Sequence, residues 1–128
     1  MAEFTSHRIL ICGDRNWDDA PAIDRALFGY KSLIGDGVMG VISGMARGAD
    51  SIAAQWARDW HIPLLAYPAD WNKHGRSAGP IRNIEMLEHG KPDVVYAFHD
   101  NLAESKGTKH MVSIAKRAGI PTYIVRRA

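Results

Sequence analysis

The stretch VISGMARGADSIAAQWA, residues 41–57, decides how the chain is read. It passes from apolar residues through two glycines into an amphipathic segment. Residues 38–43 (VMGVIS) are short and apolar without polar alternation, as in a strand covered on both faces. Ala49, Ile52, Ala53, Trp56, Ala57 and Trp60 then recur at steps of three and four, the period of a helix. Asp50, Gln55, Arg58 and Asp59 fall on the expected polar face of that helix. A strand, a glycine turn and a helix in succession form half of a βαβ unit. The helix start offers free N–H groups and a positive dipole end, a ready anion site.

The same alternation extends in both directions. Residues 8–12 (RILIC) form a strand ending at Gly13. Asp18 and Asp19 stand as caps before Pro21, and Ile23, Ala26, Leu27, Tyr30 and Ile34 continue at helical spacing until Gly35 and Gly37. A third strand is expected over residues 62–67 (IPLLAY), followed by a long polar loop over 68–79. Pro80 opens a helix with Ile81, Ile84 and Leu87 inward, closed by Gly90. Residues 93–98 (DVVYAF) form a fourth strand. A helix with Met111, Val112, Ala115 and Ala118 on one face ends at Gly119, and residues 121–125 (PTYIV) form the last strand.

The resulting β-α-β-α-β-α-β-α-β order implies an α/β, three-layer, doubly wound Rossmann-like fold. Its sheet has about five parallel strands, with helices on both faces. One domain over residues 1–128 is expected, with 1–7 as a flexible N-terminal tail. In such folds ligands bind beyond the carboxyl ends of the strands.

Composition narrows the classes of function. Hydrophobic residues make up 46% of the 128 and charged residues 23%, an ordinary globular balance. No apolar run approaches ~18 residues, and the N-terminus lacks the pattern of a signal peptide. Cys12 is the single cysteine, so neither an internal disulfide nor a CxxC metal site can form; a buried apolar role suits it. A reducing cytoplasm is the expected location. A formal charge of +2 does not argue for nucleic acid, and single-stranded DNA binding ranks behind a small ligand.

The expected helix-to-strand loops are short, and the strand-to-helix loops are long and carry the reactive side chains. The first holds Gly13, Asp14, Arg15, Asn16 and Trp17. The second holds Ser43, Gly44, Arg47, Gly48 and Asp50. The glycines allow close backbone approach and Arg47 offers a bidentate grip on phosphate. Asp50 would repel a phosphate beside it and fits better on a ribose hydroxyl, or orienting an arginine. The third loop and the helix turn after it carry Asp70, Trp71, Arg82 and Asn83. Trp17 and Trp71 are candidates to stack a base, and also to fill a core or form a lid. In the fourth, Lys106, Gly107 and Thr108 precede a helix and repeat the anion-binding device. Each of these positions also has a plain structural reading as a turn, cap or solvated residue. No cofactor is expected and no metal site has ligand spacing. Asp14, Asp70 and Asp100 each follow a strand and could hold Mg²⁺ only together with a phosphate ligand.

GDRNW (13–17), SGMARGADSIAAQWA (43–57), PADWNKHGRSAGPIRNIEML (68–87) and SKGTKHM (105–111) together resemble the YpsA/YspA-related branch of the SLOG superfamily, named for the Smf/DprA and LOG proteins. The resemblance covers residues 8–125 and implies a Rossmann-like domain for nucleotides or nucleotide-derived ligands. It also implies a homodimer or larger homo-oligomer as the assembly and likeness to small phage-carried proteins. Related LOG enzymes are phosphoribohydrolases with a PGGxGTxxE signature. The matching residues here are AESKGTKHM (103–111): Gly107 and Thr108 align, Glu104 and Ser105 stand at the two glycines, and Met111 replaces the glutamate. The resemblance therefore implies a binding, sensing or sequestering module. The enzyme alternative is a nucleotide N-glycosidase in which Asp50 or Asp70, with Arg82, replaces the missing carboxylate.

Overall fold

The computed structural model describes residues 7–127. Five strands form one sheet: β1 (His7–Gly13), β2 (Met39–Ser43), β3 (Leu64–Ala66), β4 (Val94–Phe98) and β5 (Thr122–Val125). Between them run α1 (Ala20–Ile34), α2 (Ala49–Asp59), the single-turn α3 (Trp71–His74), α4 (Ala78–Glu88) and α5 (Gly107–Arg117). The sheet order is β3-β2-β1-β4-β5, and each neighbouring pair is parallel. The expected doubly wound, five-stranded parallel fold is therefore the one observed. Residues 1–6 of the expected tail lie outside the described residues, and His7 is the first residue of β1.

Strand alternation explains the two layers. Ile9 and Ile11 of β1 face one way and pack with Ile23 and Leu27 of α1 and Ala53, Trp56 and Ala57 of α2. Leu10 and Cys12 face the other way and pack with Met86 of α4 and Met111, Val112 and Ala115 of α5. Ile9, Leu10 and Ile11 are fully buried, each contributing roughly 1.5–3 kcal/mol from apolar burial. β1 is central, so apolar residues are required on both faces.

Several local expectations shift. Asp19 alone caps α1, accepting from the Ala22 N–H at 3.3 Å, while Asp18 pairs with Arg127 at 2.8 Å. Trp60, expected on the apolar face of α2, is the C-cap and about half exposed; its ring meets Phe28 edge-on. Asp50, expected on the polar face of α2, is buried. Ala118, expected on the apolar face of α5, is exposed. α4 begins two residues before Pro80 and buries Asn83 and Met86, whereas Ile84 is exposed. The expected loop before it contains α3, capped by Asp70, which accepts from the Lys73 N–H at 3.0 Å. The shifted buried stripe of α4 follows from its neighbours. The helix packs beside α5 and across the cleft edge, so its buried stripe is set by those neighbours rather than by its most apolar residues.

Candidate functional site

The strand order reverses between β1 and β4, which pair from Ile9↔Val94 to Gly13↔Phe98. Chains leaving these two ends diverge to opposite faces of the sheet, and a crevice opens between them. A cleft of about 920 Å³ lies there. It collects Gly13, Arg15, Arg47, Asp50, Trp71, Arg82, Asn83, Lys106, Gly107 and Thr108, all singled out from the sequence. Those residues come from all four strand-to-helix connections, so the fold alone brings them together.

The other sequence candidates lie elsewhere. Trp17 is 2% exposed in the core, edge-on to Phe98 at 5.5 Å, and its indole N–H donates to the Asp19 carbonyl at 3.0 Å. It does not line the cleft and is not placed to stack a base there. Ser43 is fully buried behind the cleft. Gly44 and Gly48 shape the wall from behind without lining it. Asp70 lines a separate hollow of about 230 Å³, so of the two carboxylates considered for chemistry only Asp50 is in the cleft.

The loop from β2 to α2 is a closed hydrogen-bonded unit. Ser43 Oγ donates to the Asp50 carbonyl at 2.9 Å and accepts from the Met45 N–H at 3.1 Å. The Asp50 carboxylate accepts from the Ala46 N–H at 3.2 Å, and Ser51 Oγ donates to the Ala46 carbonyl at 2.6 Å. Gly48 sits at φ 75°, a left-handed conformation, and a Cβ there would run into the Asp14 carbonyl. That approach lets the Ala49 N–H donate to the Asp14 oxygen at 3.2 Å. The start of α2 is thus partly occupied by protein groups, with a buried carboxylate in its first turn. The start of α5 is more open. Gly107 is exposed with nothing near its missing Cβ, Lys106 is exposed beside it, and the Thr108 N–H is taken by Ser105 Oγ at 3.0 Å.

Arg82 and Asn83 connect the two helix starts. Arg82 Nη1 donates to the Gly44 carbonyl at 2.6 Å, and its Nε donates to Asn83 Oδ1 at 3.0 Å. Asn83 Nδ2 donates to the Gly107 carbonyl at 3.2 Å and lies 3.1 Å from His110 Nδ1. A Cβ at Gly44 would stand 2.6 Å from Arg82 Nη1 and 2.9 Å from Asp50 Oδ2, so any larger residue there displaces those two side chains.

The electrostatics follow from burial. Asp50 is 6% exposed, and desolvation pushes its carboxyl up from 3.8 to about 6. Arg82, the Ala46 N–H and Arg15 pull in the other direction without cancelling that rise. Burial lowers the Arg82 guanidinium, with Asp50 opposing. The Cys12 thiol, also on the cleft floor, is pushed well up by burial and then by Asp50, so it stays uncharged. Burial, then the charge of Arg117, lowers the His110 imidazole.

Asp14, Asn16, His99 and His110 also line the cleft. Asp14 and Asn16 belong to the first strand-to-helix loop, His99 follows β4 and His110 lies in the first turn of α5, and no spacing rule singles out the two histidines. His99 Nε2 lies 3.9 Å from Asp14 Oδ2. Asp14, Asp70 and Asp100, considered together for Mg²⁺, are dispersed: one in the cleft, one in the separate hollow, one paired with Arg127 at 2.8 Å. Among the described residues no cluster of three or more His, Cys, Asp or Glu side chains could hold a metal ion. No helix among them is long and apolar enough to cross a membrane.

Comparison with known proteins agrees with this architecture. Residues 7–74, from β1 through α3, match the model of the YspA, cpYpsA-related SLOG family (YAcAr). The chain is also 40% identical over 119 residues to the Gene 61 protein of Mycobacterium phage D29, covering 89% of this chain and 92% of that one. With that match, the five-stranded parallel sheet and a cleft at its switch point, the chain belongs to the YspA, cpYpsA-related SLOG family.

Proposed function

We propose that the protein binds a nucleotide-derived ligand in the cleft at the β1/β4 switch point, as a sensor or sequestering module. One observation carries this reading: a buried carboxylate, Asp50, shares the cleft with the cations Arg15, Arg47, Arg82 and Lys106. Several cations against the carboxylates of Asp50 and Asp14, of which Asp50 is buried, suit a ligand with phosphoryl groups at one end and sugar hydroxyls at the other. The phosphoryl end belongs at the open start of α5, on Lys106, Gly107 and Thr108, with Arg15 and Arg47 reaching in. Asp50 repels phosphate and accepts from a ribose hydroxyl. Trp71, about half exposed at the rim with Arg15 5.7 Å from its ring centre, offers a face for a base.

Isothermal titration against nucleoside mono-, di- and triphosphates, cyclic nucleotides and ADP-ribose-type compounds tests the reading. Binding of a phosphorylated nucleoside, with the unphosphorylated nucleoside binding more weakly for lack of charge, is the expected result. No binding by any member of the panel removes it.

The state of Asp50 favours a second reading. A carboxyl near 6 exchanges a proton around neutral pH, as a general acid or base must. In an N-glycosidase it would support the departing base or the charge on the sugar. Asp70 lines the neighbouring hollow, which shares Arg82 with the cleft, so Asp50 is the better-placed carboxylate for that task. Chromatography for free base decides this reading, and intact nucleotide after prolonged incubation at high protein concentration rejects it.

A further inference from the structure

The orientation of one amide settles the protonation of a neighbouring ring. An arginine Nε–H can only donate, so the Asn83 atom 3.0 Å from Arg82 Nε is the carbonyl oxygen. A backbone carbonyl can only accept, so the Asn83 atom 3.2 Å from the Gly107 oxygen is the amide nitrogen. Both anchors select the same orientation. The Asn83 nitrogen also faces His110 Nδ1 at 3.1 Å, so Nδ1 must accept. The imidazole proton is then on Nε2, which has no hydrogen-bond partner among the described residues. His110 lines the cleft and stands one turn into α5 from Lys106.

We propose that His110 serves the cleft as a neutral hydrogen-bond donor through Nε2–H, reading an anionic oxygen of the ligand, and that Arg82 and Asn83 are the positioning residues that set its tautomer. The proposal rests on the binding reading above and adds a specificity-determining group to it. Burial and the Arg117 charge act in the same sense, holding the imidazolium form down. The cleft then has two unlike ends. At Asp50 it presents an acceptor, and at His110, Lys106 and the α5 start it presents donors. A ligand carrying an anionic oxygen at one end and a hydroxyl at the other matches both; a neutral ligand leaves the donor end unfilled.

Long-range ¹H–¹⁵N correlation of the His110 ring tests the proposal, first on the free protein at neutral pH and then with ADP, pyrophosphate and adenosine. The expected result is the Nε2–H tautomer in the free protein, with Nε2 shifted by ADP and pyrophosphate but not by adenosine. A ring protonated at Nδ1, or at both nitrogens, overturns the proposal. So does an unmoved ring while other cleft residues shift, which leaves the binding reading intact. No shift anywhere in the protein overturns this proposal, and the binding reading falls with it once the rest of the nucleotide panel also fails to bind.

Variants give a second measure. His110→Gln keeps an amide donor near the position of Nε2 and should hold ADP affinity within about threefold, whereas His110→Phe should lose roughly tenfold or more. Equal effects of the two overturn the donor role. Asn83→Asp places only acceptors beside Nδ1 and should move the proton there, a change read in the same spectrum. A ring that keeps its tautomer in a folded Asn83→Asp protein removes Asn83 from the argument. If that variant does not fold, the spectrum of the natural chain still decides.

Discussion

Arg82 Nη1 donates to the Gly44 carbonyl at 2.6 Å, so a helix on one face of the sheet holds the loop that starts a helix on the other. A charge-assisted bond across the switch point resists opening of the cleft. Arg82→Met removes this bond and the one to Asn83 while keeping most of the aliphatic volume. It should lower stability by roughly 1.5–3 kcal/mol and raise the Asp50 pKa further, because the nearest compensating charge is gone. Urea unfolding of the two proteins at one pH measures the first effect.

Asp50 should make the protein less stable as pH rises. Its folded pKa, about 6, lies above the ordinary value of 3.8. The folded state therefore holds a proton that the unfolded state has released between those values. The contribution is fully present below about 3.8 and is lost as pH rises through about 6. Asp50→Asn mimics the protonated form. It should flatten stability over that window and be more stable above it by on the order of 2–3 kcal/mol. It should also bind the nucleotide-type ligand more weakly. Melting temperatures of both proteins across the window check the sign; a parallel fall in the two excludes Asp50 as the source.

Two glycine substitutions should separate folding from binding. Gly48→Ala forces a side chain into φ 75° and against the Asp14 carbonyl, and should cost roughly 2 kcal/mol or more. Gly107→Ala adds a methyl in open space at the first position of α5. It should leave stability unchanged or raise it by up to about 1 kcal/mol, because alanine favours helix. Ligand affinity should nevertheless fall in Gly107→Ala if the phosphoryl group rests on that backbone. Denaturation and titration of the same samples distinguish these outcomes.

The two loop tryptophans should behave in opposite ways. Trp17→Ala opens a cavity in the core and should cost about 3–5 kcal/mol. Trp71→Ala removes an exposed ring at the cleft rim and should change stability by less than about 1 kcal/mol while weakening the ligand. A Trp71→Ala protein with unaltered affinity for every nucleotide that binds takes the base away from that face.

Much of this was legible in the chain because it depends on local periodicity. Apolar runs without alternation mark strands buried on both faces, and the three-and-four spacing of Ala53, Trp56 and Ala57 marks a helix with one dry side. Such patterns state how many faces an element hides, and that is enough for a doubly wound sheet. The same order of elements puts every strand-to-helix loop at one edge, so most of the cleft residues follow from counting loops. Burial of a polar group is a different matter. Asp50 reads as the outer face of α2, and it is inward because the loop from Ser43 closes over it and α4 brings Arg82 alongside. Trp17 and Trp71 look alike in the chain, and only the packing of Phe98 against one of them makes it core. Asn83 and His110 are 27 positions apart, and no spacing rule relates them until α4 and α5 pack side by side. The sequence by itself determined the layers and the edge at which the cleft opens. Tertiary structure alone decided which side chains lose water there, and desolvation is what raises the Asp50 pKa and lowers that of His110.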